Sequence, residues 1–191
     1  MLKTITQFSA IAICLVFCFT ACISDIDFQQ AEDLAISPAL ETSIIHFEEA
    51  ANTFVDDNGV ELITVTDTVY VDIFSDAFVV DNLIKAEFQF EVTNTINRAF
   101  QTNIDFYNDA FELQHNFSFG VSASPTNEDV VVEYIETFVG QELDALKSTT
   151  NLVLTFTLLP SNDGSVLQDT TPGNLKLRSK ASFYLEIIPS E

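Results

Sequence analysis

From Leu40 onward the chain alternates apolar and polar residues with a period of two, and no other feature restricts its fold as much. Successive side chains of a strand point to opposite faces, so sustained alternation predicts half-buried β-strands. In the clearest run Ile84, Ala86, Phe88, Phe90 and Val92 share one face, while Lys85, Glu87, Gln89 and Glu91 share the other. Phe100, Thr102, Ile104 and Phe106 likewise oppose Gln101, Asn103, Asp105 and Tyr107. After a short turn at Asn108-Asp109-Ala110 the pattern resumes with Phe111, Leu113, His115, Phe117, Phe119 and Val121, so the two runs read as a hairpin. The C-terminal run from Leu175 to Ile187 is equally regular.

Further strands are expected at 40–48, 61–74, 129–138 and 152–159, with turns at Asp56-Asp57-Asn58-Gly59 and Asn162-Asp163-Gly164. One short helix is expected at 141–149, where Leu143 and Leu146 lie three apart. About eight strands, each with one wet and one dry face, predict an all-β fold: an antiparallel β-sandwich over residues 40–191. An open barrel is the alternative. A transmembrane barrel fits poorly, because the charged faces leave no lipid-facing band. The dry faces carry most of the 18 phenylalanines, which therefore form the expected core.

The N-terminus follows a different pattern. Lys3 precedes an uncharged apolar run from Phe8 to Phe19, which falls short of the roughly 20 residues that span a bilayer. It suits the hydrophobic region of an export signal. All three cysteines, Cys14, Cys18 and Cys22, lie in or directly after this segment. Only Cys22 follows a small residue, Ala21. The sequence Phe19-Thr20-Ala21-Cys22 resembles the lipobox of bacterial lipoproteins, with Phe19 where Leu is usual. That resemblance implies a signal peptide over residues 1–21, cleavage between Ala21 and Cys22, and acylation of Cys22 as a membrane anchor.

Residues 22–39 then read as an acidic tether. Its start, Ser24-Asp25-Ile26-Asp27, resembles the acid-rich stretch of surface-exported lipoproteins of the Bacteroidota. The location implied is the outer membrane, at its periplasmic face or at the cell surface. Cleavage leaves one cysteine, so stability must come from the core rather than from disulfides.

The net charge is −22, and removing the signal peptide takes away only Lys3. Nucleic acid is a poor partner for such a chain, since phosphate binding needs basic patches. Candidates for chemistry are few. His46 and His115 are far apart, and His115 falls on an apolar strand face, where a hydrogen-bonded core residue is expected. No G-x-S-x-G elbow and no phosphate-cradling glycine loop is present. The two Asp/Asn-Gly clusters carry oxygen ligands as calcium loops do, but they miss the calcium-loop spacing and read as turns. Tyr70, Tyr107 and Tyr184 fall on polar strand faces, and Lys176, Arg178 and Lys180 line one side of the last strand, beside acidic neighbours. Asp67-Thr68-Val69 and Asp169-Thr170-Thr171 match the O-glycosylation pattern of exported Bacteroidota proteins, which makes Thr68 and Thr170 candidate acceptors.

The expectation is a lipid-anchored, non-catalytic sandwich without a cofactor or bound metal, partnered by the membrane and by another envelope protein. The rival expectation is a calcium- or glycan-binding domain, in its catalytic form a carboxylate-dependent hydrolase.

Overall fold

The computed structural model describes residues 36–161 and 163–188. The expected signal peptide, the cleavage pair Ala21 and Cys22, and the tether up to residue 35 lie outside the described residues.

Eight strands form: β1 (Ala39–Ala50), β2 (Thr64–Tyr70), β3 (Leu83–Asn94), β4 (Phe100–Tyr107), β5 (Leu113–Val121), β6 (Val130–Phe138), β7 (Asn151–Leu158) and β8 (Asn174–Leu185). Among the described residues two short α-helices accompany them, α1 (Ala77–Asn82) and α2 (Gln141–Lys147). Sheet A has the order β1-β8-β3-β6 and sheet B the order β2-β7-β4-β5, with all neighbours antiparallel. This interleaved order in two four-stranded sheets is that of a jelly roll. The expected antiparallel β-sandwich is therefore the fold. Ile36 already pairs with Ile187, and Ala39 opens β1, so the sheet begins slightly before Leu40.

The core between the sheets is aromatic. Phe54, Phe88, Phe90, Phe100, Phe106, Phe138, Phe156 and Phe183 are among its largest fully buried side chains. Phe88 lies at its centre. Its ring meets Phe138 and Phe183 of its own sheet at 5.4 and 6.0 Å, and Phe106 of sheet B at 5.8 Å, all edge-on. Edge-to-face contact sets the positive rim of one ring against the negative face of the next.

The structure departs from strict alternation where strands bulge or end. Ile84 is exposed rather than buried, because the register of β3 against β8 shifts between Leu83 and Lys85. One extra residue flips the side chains that follow. Phe111 and Leu113 are exposed as well. Phe111 lies in the turn, and Leu113 begins β5 at a register shift against β4. The single strand expected over 61–74 is shorter, running only from Thr64 to Tyr70 before a 3-10 turn at Ile73–Ser75. Helix α1 follows, started by Asp76, whose side chain accepts the Phe78 amide at 2.9 Å.

Candidate functional site

On the outer face of sheet A the basic strip of β8 lies between acidic strands. Lys176 pairs with Glu48 of β1 at 3.0 Å and Lys180 with Glu41 at 2.9 Å. Each ammonium holds its partner's carboxyl below the usual range by donating to it. On β3, Glu87 takes Lys85 at 2.8 Å and the Tyr184 hydroxyl at 2.8 Å. Arg178 sits in register between His46 and Glu91. A shallow depression of about 440 Å3 opens there, where β1 bulges between Ser43 and His46. These charges are mostly matched within the sheet, so this face offers little net field to a ligand.

His115 is the expected hydrogen-bonded histidine, but it is half-buried at the edge of the sandwich rather than deep inside. It joins β5 to β6 through Glu136 Oε1 at 2.6 Å. The other oxygen of Glu136 accepts the Tyr134 hydroxyl at 2.8 Å, which pushes the phenol up to about 12. Tyr134 in turn stacks on Phe117 and Phe119 at 4.9 and 5.0 Å. The trio ties the rim of one sheet to that of the other. No third ligand or nucleophile joins it among the described residues, where no three of His, Cys, Asp and Glu converge as a metal set.

The acidic turns are used internally. Asp56 Oδ1 accepts the amides of Asn58 and Val60 at 2.9 and 2.8 Å. Asp163 accepts from the Ser161 hydroxyl and the Ser165 amide, which hold its carboxyl far below the usual range. Both behave as ordinary turn acids. Of the two expected glycan acceptors, Thr68 is exposed within β2 and Thr170 is exposed in a turn.

One residue that sequence reading did not single out is Arg98. It is 4% exposed and lies where loops 51–63, 95–99 and 159–173 meet. Its guanidinium pairs with Glu61 and donates to the carbonyls of Leu159 (3.1 Å) and Ser165 (2.7 Å). Glu61 also accepts the Leu167 amide at 2.6 Å. Beside this knot is a cleft of about 570 Å3 lined by Asn97, Ala123, Pro125, Leu159 and Asp163. The only local signal was a lone arginine within an Asn-Arg-Ala loop, which gave no hint of a partner some 37 positions away.

The outer face of sheet B has a different chemistry. Registration of its strands sets side chains in four rows: Thr64–Thr157–Gln101–Gly120, Thr66–Thr155–Asn103–Ser118, Thr68–Val153–Asp105–Asn116 and Tyr70–Asn151–Tyr107–Leu113. Hydroxyls and amides dominate. Asp105 is the only carboxylate in the array, and burial pushes its carboxyl up toward the neutral form. The last row is aromatic: Tyr70 is 67% exposed, and the Tyr107 ring lies 6.3 Å from that of Phe111.

Phe111 itself is unusual. The β4–β5 connection is a tight turn, closed by the Phe111 amide on Asn108 O (2.9 Å), with a paired Asn108 amide and Glu112 O (3.1 Å) around it. The third loop position of such hairpins is left-handed and favours glycine. Here it holds Phe111 at φ 56°, with its ring 66% exposed. A left-handed non-glycine residue costs about 1–2 kcal/mol. Comparing Phe111→Gly with Phe111→Ala isolates that cost, since both lose the ring and only glycine relieves the backbone. Thermal unfolding should place the glycine variant about 1 kcal/mol above the alanine variant, roughly 2–4 °C for a domain of this size. Equal melting temperatures would contradict the strain.

No protein-family model and no curated protein matches the chain. Among solved structures, the chain is similar to part of a protein of Parabacteroides distasonis predicted to be secreted. The identity is 13% and the TM-score 0.45, over 63% of this chain and 37% of that one. It is also similar to the infectious bursal disease virus VP2 subviral particle protein, at 10% identity and a TM-score of 0.43, over 78% and 32% of the two chains. A third likeness is to the Macrobrachium rosenbergii nodavirus particle, at 9% identity and a TM-score of 0.36, over 83% and 98%. The chain thus spans less than two fifths of the length of the first two.

Proposed function

We propose that this is a lipid-anchored envelope protein of the Bacteroidota type, acylated at Cys22, whose sandwich binds a partner and does not catalyse. The observation that carries the anchor is the sequence Phe19-Thr20-Ala21-Cys22 at the end of the apolar N-terminal run. The stretch from Cys22 to Ile36 reaches at most about 50 Å when extended, enough to hold the sandwich clear of a lipid surface. Two or three acyl chains, each methylene contributing about 0.8 kcal/mol, make release negligible.

The binding half of the reading is supported by how the titratable groups are spent. His115 is engaged by Glu136, Glu61 by Arg98, and Asp163 by its own turn, so these three serve the fold. General acid–base catalysis needs a group free to exchange a proton with a substrate.

Cys22→Ser tests the anchor. In a bacterial host that processes lipoproteins, the unchanged chain should incorporate labelled palmitate and sediment with the outer membrane. The serine variant should take up no label and either leave the membrane fraction or remain as the longer, uncleaved chain. Full retention of label by the serine variant would sink the anchor.

A further inference from the structure

We infer that the outer face of sheet B is a platform for a neutral glycan chain, with Tyr70, Tyr107 and Phe111 as its stacking rim. This names the partner of the proposed binding domain and rests on the reading that the sandwich binds.

The chain carries 29 acidic residues against 7 basic ones, so the molecule as a whole repels anionic partners and attracts cationic ones. On the outer face of sheet A, Glu41, Glu48, Glu87 and Glu91 stand among Lys85, Lys176, Arg178 and Lys180 and are mostly matched. The four outward rows of sheet B hold a single carboxylate, the half-buried Asp105, with the exposed Asp67 beside them on edge strand β2. Three strand spacings across and three two-residue steps along make the array roughly 14 by 20 Å. A neutral polyol is the partner that neither gains nor loses from the field of the rest of the molecule.

The array also has the right groups. Thr64, Thr66, Thr155, Thr157 and Ser118 offer hydroxyls, each both donor and acceptor, and Gln101, Asn103, Asn116 and Asn151 offer amides. Sugar hydroxyls need partners of both kinds. Of the residues enriched at protein–protein contacts only tyrosine, at the rim, occurs in these rows.

The rim supplies apolar flat surfaces. Tyr70 and Tyr107 share a row with one strand between them, about 10 Å apart. An exposed tyrosine offers a ring to the C–H face of a sugar and a hydroxyl to its edge. Phe111 extends the rim beside Tyr107, and its strained backbone serves no packing purpose in the core. A residue kept where glycine is easier is expected at a working surface.

Affinity electrophoresis of the full chain in mild detergent tests the platform. The gels contain hydroxyethylcellulose, xylan, galactomannan or laminarin as neutral probes, with polygalacturonate as the charged control. At least one neutral polymer should retard the protein, and polygalacturonate should not. Tyr70→Ala and Tyr107→Ala should each weaken that retardation about tenfold or more, and Phe111→Gly should weaken it while melting no lower than Phe111→Ala. Unaltered migration in every neutral gel overturns the proposal. So does retardation that survives all three substitutions, or retardation by polygalacturonate alone. New reducing ends released from a retarding polymer would instead overturn the non-catalytic reading and leave the platform standing, and the palmitate label reports separately on the anchor.

Discussion

Phe88→Ala should lower the free energy of unfolding by about 3–5 kcal/mol, the range for emptying a buried phenylalanine site. Three features place it at the upper end. The ring is 1% exposed, so nothing already in water offsets the loss. It touches Phe106 across the sandwich as well as Phe138 and Phe183 within its sheet, so removing it opens a void on both sides of the core. Strand β3 is also hydrogen-bonded on both sides, to β8 and β6, which restricts collapse of the backbone into the space. Set against a total stability of roughly 5–15 kcal/mol, the change removes a large share of it. Equilibrium urea unfolding reads it directly. With a slope of about 2 kcal/mol per molar, the midpoint should fall by roughly 1.5–2.5 M at unchanged slope. A shift below about 0.5 M would mean that the aromatic centre carries little of the stability. Phe78→Ala, at a ring 51% exposed, should move the midpoint far less.

The same alternation that places Phe88 inside explains how much of the fold could be read from the chain. An antiparallel sandwich with one dry and one wet face per strand translates burial almost directly into a period of two. Hence Phe100, Thr102, Ile104 and Phe106 are buried as expected, and so are Leu175, Leu177, Ser179, Ala181, Phe183 and Leu185. The departures have local causes that leave no mark on hydrophobicity. Ile84 looks identical to Phe88 in the pattern and differs only because a bulge intervenes. Phe111 continues the pattern in sequence while its backbone turns the opposite way. Helix α1, Ala77-Phe78-Val79-Val80-Asp81-Asn82, is rich in strand-forming residues and is carried by a single cap, Asp76.

The candidate surface was partly legible. Tyr70 and Tyr107 fall on the polar faces as expected, and so do the hydroxyl and amide residues around them. That they form one array with a single carboxylate was not, because it depends on which strands become neighbours. The order β2-β7-β4-β5 gathers four separate polar faces, and the charged faces gather on β1, β8 and β3. The β4–β5 hairpin was legible from its short turn, but pairing between strands distant in the chain is a long-range property that the alternation does not record. The partition of charge between the two sheets thus exists only in the assembled sandwich.

Arg98 is the extreme case of such long-range dependence, and it yields the second large effect. Arg98→Met should cost about 3–5 kcal/mol, the range for breaking a buried ion pair from one side. The substitution keeps an apolar stem of similar length but leaves the Glu61 carboxylate without its counter-charge, and the carbonyls of Leu159 and Ser165 without their donors. Glu61→Leu alone should cost a comparable amount, because it strands the guanidinium at 4% exposure and frees the Leu167 amide. The double variant is the informative one. Arg98 already carries a buried Nε with no hydrogen-bond partner among the described residues, a standing desolvation cost that vanishes with the side chain. Each single variant leaves one unpaired ion, the Glu61 carboxylate or the Arg98 guanidinium, whereas the double variant leaves neither, so its loss should fall well below the sum of the singles. A double-mutant cycle in urea should return a coupling of about 2–3 kcal/mol or more. Additive losses would show that Arg98 and Glu61 act on stability independently.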